Sequence, residues 1–398
     1  MLFLDNRPLF SQPSQSKNIN DKFFEIKYEE LLKQKNIIRL SQIASKVEYI
    51  QLETNNECLL SSQARYFFVD SLIFVDNMDH ILKFNSHGKF LTKIGRPGRG
   101  PGEIQTIADI SIIPSKRQIA VQLLESRKLV YFSFDGKFIK NESHPYRGLV
   151  KKLDDGNSLI WDGGPIKWTK FTFLLTNEKE DTLSVIPNYK TIINKSNIAV
   201  SPAYSFIERF YYFDKRLFFK DDFNDTVYYM NAGKIQPAYS INLGKYKLPE
   251  SLRPESLEPS NIKLFYQKAS NFYYCCVLET SNKIFLVSHN YYRDIPKYIL
   301  YDKPSHLGNL MNNNENISTG IVNDWDGGLD FWPTGNITDN KIFMPINMMD
   351  LKKEFEKSKS AKNSIKFPDR QKDLSKILSN SDNTDNPIIM IVTLKAKN

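Results

Sequence analysis

Only three cysteines occur in 398 residues, Cys58, Cys275 and Cys276. Two of them are adjacent and an odd number cannot all pair, so a disulfide framework and a cysteine zinc site are both excluded. Cys275 and Cys276 lie in an apolar run, 272–278, which marks them as buried thiols packing as small hydrophobes. No run of 18 apolar residues is present, so no transmembrane helix is expected. Histidine is also scarce. His80, His87, His144, His289 and His306 are dispersed, and no two have the spacing of metal ligands on a helix. A Gly-x-Ser-x-Gly elbow, a phosphate loop ending in Gly-Lys-Ser/Thr, a helix-turn-helix pattern and an RNA-binding signature are all missing. Positive charge is not gathered in one place either. The net charge is +9 and the pI about 9.1, yet Lys and Arg are scattered singly among acids. The densest cluster, 352–357, mixes both signs and reads as a solvated helix face. Nucleic acid is therefore not expected as a partner.

Aromatic residues are abundant. Tyr and Phe number 20 and 27, and aromatics make up 13% of the chain. Such rings suit a pleated, half-buried surface and favour β-structure. The apolar fraction of 41% supplies ample core.

An internal repeat organises these residues. The pattern aromatic-x-x-x-Gly-Lys-Phe at 84–90 recurs at 132–138, placing Gly88 and Gly136 48 residues apart. A third copy at 229–235 places Gly233 two periods further on, with a degenerate copy expected near 173–178. Strand-like runs flank each glycine, which is a hairpin signal. One full period holds four such runs, 107–113, 118–123, 128–134 and 138–143. Short strands repeated at a period in the forties are the signature of propeller blades. Residues 35–345 hold six to seven periods, and six once 244–271 is set aside as an insertion. The expected fold class is all-β, a six-bladed β-propeller with short C-terminal helices before a ring-closing strand. Residues 1–34 form an N-terminal extension, 35–398 the propeller, 348–380 a helical excursion with Asp369 as N-cap of its second helix, and 387–395 the closing strand, paired with an N-terminal strand from 35–62.

The stretch Gly88-Lys-Phe-Leu-Thr-Lys-Ile-Gly95-Arg-Pro-Gly-Arg-Gly-Pro-Gly-Glu103 resembles the hairpin and long turn of six-bladed, NHL-repeat-like propellers of anaerobic Gram-negative gut bacteria. Asn224-Asp225-Thr226-Val227-Tyr228, 241–244, 320–328 with Trp332-Pro333, Asn386-Pro387 and 47–53 are similar too. The resemblance implies the fold, export, and often a lipid anchor; most members lack an assigned activity. No lipobox cysteine lies near the start. Met1-Leu2-Phe3-Leu4-Asp5 reads either as a cytosolic start or as a chain that begins within or after a signal peptide. The expected location is the periplasm or outer membrane if a signal peptide is missing from the start, with membrane association through an anchor not seen in this chain.

Several motifs carry candidate chemistry beside a bland reading. Gly95–Glu103 holds four glycines with Arg96 and Arg99. It fits an anion cradle of backbone N–H groups, or a crossover needing unusual φ values. His289, at the end of an apolar run and before two tyrosines, is the least ordinary histidine. Trp161 and Trp325 head two copies of Trp-Asp-Gly-Gly, which suggests equivalent blade positions and either sugar platforms or packing between blades. Asp324 and Asp326, at i and i+2 on a Gly-rich turn, would suit Ca²⁺ with carbonyls and waters; no other cofactor is implied. The leading reading is a monomeric, non-catalytic binding or scaffold propeller of the cell envelope, holding a protein or glycan on one face. The alternative is a hydrolase or lyase with a divalent cation at the channel mouth.

Overall fold

A computed structural model describes residues 23–396 apart from 125, 147, 163–169, 189–208, 253–258, 292–295, 312–319 and 361–364. Six antiparallel blades of four strands are arranged around an axis. Blade one is Arg65–Val69, Leu72–Asp76, Ile81–Asn85 and Phe90–Ile94; blade two is Ile107–Ile113, Gln118–Leu123, Lys128–Ser133 and Phe138–Ser143. Blade three is Leu149–Lys152, Ser158–Trp161, Phe171–Thr176 and Thr182–Pro187; blade four is Phe210–Phe213, Arg216–Lys220, Thr226–Asn231 and Lys234–Asn242. Blade five is Tyr273–Glu279, Lys283–Asn290, Lys297–Asp302 and Leu307–Leu310. Blade six is built from both ends of the chain. Its strands are Gly335–Thr338, Lys341–Ile346, Ile388–Leu394 and, outermost, Ala44–Gln51. The C-terminal strand thus pairs antiparallel with an N-terminal one, Val47 opposite Val392, and closes the ring as the sequence suggested.

Burial explains the letter patterns. Second and third strands pack against neighbouring blades on both faces, so Leu72–Asp76 and Ile81–Asn85 are buried almost throughout. Outer strands face solvent, and Phe138–Ser143 is exposed along most of its length. Aromatic rings fill the wedges between blades. Phe74 meets Phe134 at 4.8 Å, Phe68 meets Phe343 at 4.7 Å, and Phe173 meets Phe219 at 4.6 Å between centroids. Each pair adds about 0.5–1.5 kcal/mol beyond the area buried.

Gly88, Gly136 and Gly233 occupy the third-to-fourth-strand hairpins of blades one, two and four, with φ of 81°, 83° and 73°. Gly88 is needed twice over, because a Cβ there would also lie 2.1 Å from the Gln51 carbonyl oxygen of blade six.

Three details differ from expectation. Segment 244–271 contains a helix, Pro259–Lys268, which periodicity did not reveal. Asp369 does not cap the helix Pro368–Ser379: Pro368 takes the first turn and Phe367 stands at the N-cap without a side-chain bond. The strand Phe24–Lys27 adds parallel to the outer strand of blade four, Phe24 opposite Tyr239.

Candidate functional site at the channel mouth

The two ends of the channel differ. At the end formed by first-to-second-strand turns, blade six reaches blades four and five. Asp339 Oδ1 accepts from the Asp214 N–H at 2.9 Å, its carbonyl accepts from the Ser281 N–H at 3.0 Å, and Asn336 Nδ2 donates to the Tyr212 carbonyl. These bonds tie that end together. The opposite mouth, where second strands end and first strands begin, gathers the charged side chains near the axis.

A chain of charges runs through blades one to three there. Arg65 bonds Asp76 through Nε at 2.9 Å and approaches Asp109 at 3.4 Å; Asp109 in turn receives Lys151 Nζ at 3.0 Å. Lys151 also donates to the Ile110 carbonyl at 2.7 Å, and its ammonium lies 5.9 Å and 5.5 Å from the Phe67 and Phe210 rings of blades one and four. Burial pushes the Asp76 carboxyl up despite its Arg65 partner. Two acids and two bases thus neutralise each other inside the channel, and each buried charge keeps a partner.

The second cluster gathers two of the sequence candidates. Trp161 ends the second strand of blade three, and its indole Nε1 donates to Asp221 Oδ1 at 3.1 Å. Arg209, just before blade four, lies over the Trp161 ring at 4.0 Å and pairs with Asp222 at 2.9 Å. His289, in the second strand of blade five, stacks on Tyr274 at 5.4 Å between ring centres. Its Nε2 is buried without a hydrogen-bond partner. Burial lowers the His289 pKa, while the nearby Asp222 carboxylate raises it. Arg209, Asp221 and Asp222 were not singled out from the sequence. The one available signal was a carboxylate pair directly after the apolar strand Arg216–Lys220.

The remaining candidates lie elsewhere. Arg96 and Arg99 are exposed on the turn after blade one. The anion in that turn is the chain's own Glu103: Oε2 accepts from the Gly100 N–H at 2.7 Å, and Oε1 meets Arg96 at 3.0 Å. The Gly100 N–H first, then Arg96, hold its carboxyl below the usual range. Trp325 lies in the crossover from blade five to blade six, not at a position equivalent to Trp161, and packs on Phe367 at 4.2 Å. Asp324 accepts from the Ser41 N–H at 2.9 Å and the Ser41 hydroxyl at 2.6 Å. Asp326, buried, accepts from Tyr49 at 3.0 Å, Asn323 at 2.9 Å and the Gly328 N–H at 3.0 Å. Among the described residues no three His, Cys, Asp or Glu side chains gather as a metal would require.

A recess lies outside the channel. Between blades six and one a groove of about 1540 Å³ runs past Tyr49, Gln51, Phe68, Ser86, Lys89 and Lys341.

Fold and topology define a six-bladed β-propeller closed by its own termini. A family model described as "Domain of unknown function (DUF4934)" matches residues 23–393, and the chain belongs to that family. Among solved structures, a Bacteroides fragilis protein provisionally named as exported has a TM-score of 0.70 at 21% identity, over 94% of this chain and 100% of that one. A DUF4221 family member from Bacteroides vulgatus scores 0.46 at 12% identity, over 89% and 98%. Virginiamycin B lyase from Staphylococcus aureus scores 0.35 at 10% identity, over 70% and 77%; these last two likenesses are too loose to carry an argument. No curated protein matches the chain. The resemblance to propellers of Gram-negative gut bacteria holds.

Proposed function

We propose that the protein is an exported, non-catalytic binding propeller of the cell envelope that holds a protein or glycan in the groove between blades six and one. The observation that carries this is the contrast between channel and groove. The ionisable groups described at the channel mouth are largely taken up by one another, through Arg65–Asp76, Lys151–Asp109 and Arg209–Asp222. The groove is lined by apolar and polar residues together, Phe68 and Ile73 with Gln51, Ser86 and Lys89, and at about 1540 Å³ exceeds the roughly 300–1,000 Å³ of small-molecule sites. That size suits part of a polymer. Export is supported by the name of the Bacteroides fragilis relative.

One observation favours the second reading, a propeller hydrolase or lyase. His289 keeps a buried, unpartnered Nε2 beside the Arg209–Asp222 pair, an arrangement from which a general base could work.

Photocrosslinking separates the two. A photoreactive residue at Ser86, in envelope extract, should give a discrete adduct that the same residue at Lys128 on blade two does not. Equal labelling at both positions would remove the groove reading. Hydrolytic or lytic turnover that disappears in His289→Gln would install the enzyme reading instead.

A further inference from the structure

The groove between blades six and one runs along a strand edge. Glu48, Tyr49, Ile50 and Gln51, consecutive in the outer strand of blade six, all line it. Successive side chains of a strand point to opposite faces, so four in a row border one groove where it meets the edge. The bonds around this strand show which main-chain groups the edge presents. The Leu394 N–H donates to the Asn340 carbonyl at 2.8 Å, away from the outer strand, and the Lys395 N–H donates to the Ile43 carbonyl at 2.8 Å, toward it. Main-chain groups alternate sides along a strand. Ile389 and Ile391 therefore face the outer strand, where they oppose Ile50 and Glu48. Val47, Tyr49 and Gln51 then turn their N–H and C=O groups outward. Glu53 continues that set, and its N–H indeed donates outward, to the Gly88 carbonyl of blade one at 2.8 Å. Among the described residues no main-chain partner outside the sheet meets the N–H of Val47, Tyr49 or Gln51.

The surroundings of this edge say what fits it. Ile50, Phe68 and Ile337 are partly buried and pack on the core shared by blades six and one. They form an apolar shelf on the face to which the Ile50 side chain points. The outward donors and acceptors recur at every second residue, about 7 Å apart. An extended peptide matches that repeat with its own main chain, and its alternate side chains fall over the shelf. The fold already uses this mode once. Phe24–Lys27 adds in parallel to Lys234–Asn242, the outer strand of blade four. The same belt goes on to become the outer strand of blade six, so a strand added there would continue the layer the belt begins.

We infer that the occupant of the groove is an extended peptide segment of a partner protein, which adds as a fifth strand of blade six along residues 47–51 and seats an apolar side chain on Ile50, Phe68 and Ile337. The inference rests on the groove reading and deepens it, selecting protein over glycan.

The test takes the whole chain and a displayed library of random dodecapeptides. Selection should enrich peptides rich in strand-forming residues, and the tightest, made synthetically, should suppress the Ser86 adduct. Its binding should slow hydrogen exchange at the Tyr49 and Gln51 amides. The Glu48 and Ile50 amides, already bonded to the closing strand, should exchange as before. Gln51→Pro removes one outward donor and leaves the inner ladder whole, as proline on an edge strand can. It should weaken the peptide tenfold or more. Gln51→Ala, which loses only the side-chain bond to Ser381 at 2.9 Å, should weaken it less than threefold. If Gln51→Pro fails to fold, exchange at Tyr49 decides. Three results overturn the inference: no enriched peptide, a bound peptide that leaves the Tyr49 and Gln51 amides unslowed, or a Ser86 adduct that is a glycan or a second copy of this chain. A discrete Ser86 adduct in any of these cases leaves the groove reading standing. Equal labelling at Ser86 and Lys128 removes the groove reading, and this inference with it.

Discussion

The ring has a belted half and a bare half. Residues 24–51 run along blades four, five and six. Phe24–Lys27 extends the sheet of blade four, Gln34–Asn36 bonds both main-chain groups of Leu310 in blade five, and Ala44–Gln51 becomes the outer strand of blade six. This belt is anchored by side chains, not only by main-chain bonds. Ile26, Tyr28, Leu31, Leu40 and Ala44 are all buried and belong to the one core cluster that spans blades four to six. In blades one, two and three the outer strands Phe90–Ile94, Phe138–Ser143 and Thr182–Pro187 are the last in their sheets. They show solvent Leu91, Phe138, Ile139, Leu183 and Val185.

The difference teaches how one fold manages open edges in two ways. In the belted half the outer strands of blades four and five gain main-chain partners from residues 24–36, and the edge passes to the belt itself. The bare half leaves its edges open and makes them poor templates. Lys93 and Lys140 sit within the exposed strands, and the register shifts next to the hairpin in each of the three blades, at Lys83/Phe84, Tyr131/Phe132 and Leu175/Thr176. Such bulges twist an edge away from straight pairing.

The largest expected effect would break or establish this contrast. Tyr28 is fully buried, and its hydroxyl shares a 2.6 Å hydrogen bond with Ser288 of blade five. Tyr28→Ala should cost about 3–5 kcal/mol in denaturant unfolding, the range for large aromatic truncations. Phe138→Ala on the bare edge, 43% exposed, should cost about 1 kcal/mol or less. Similar losses at the two positions would mean that the belt is not structural.

Local chemistry made much of the fold legible. A glycine that must take positive φ announces a hairpin from four letters, so Gly88, Gly136 and Gly233 located three blades. The closing strand was legible because Ile388–Leu394 is apolar on both faces, as a strand between two others must be. The belt was not legible. Phe24–Lys27 is a four-residue strand whose partner lies more than 200 residues away, and no local pattern specifies that pairing. The same limit applied to the site. Trp161 and His289 drew attention as residue types, but Arg209 and Asp222, which join them, are ordinary charged letters until the blades bring them together.

The second prediction sharpens the account of the belted half. Asp330 lies in the crossover beside the belt, where its Oδ1 accepts from the Asn323 N–H at 2.9 Å. Burial first, and the Glu354 charge after it, push its pKa up to about 6. The folded chain therefore holds this proton more tightly than the unfolded chain does. The group's contribution is fully present below about pH 4 and is lost as pH rises through about 6. Asparagine copies the protonated form. Asp330→Asn should stabilise the protein by about 2–3 kcal/mol at pH 7.5 and hardly at all at pH 4, given about 1.4 kcal/mol per pKa unit. Urea unfolding at both values measures it; a destabilised variant at pH 7.5 would show that the carboxylate is held by favourable contacts.

The smallest effect on stability concerns the bare half. Lys93 is exposed in Phe90–Ile94 and has apolar neighbours along the edge, with Leu91 46% exposed two residues away. If the lysine is there to spoil edge pairing, its removal should leave the folded chain nearly as stable and make copies associate more. Lys93→Val should change unfolding free energy by no more than about 0.5 kcal/mol, as surface substitutions do. Valine also suits a strand, so local propensity will not oppose the change. Light scattering across a concentration series should show more self-association in the variant than in wild type. A stable variant that associates no more than wild type at any concentration would shift the protection of this edge from charge to the bulge at Lys83/Phe84, because the bulge alone would then be twisting the strand out of reach.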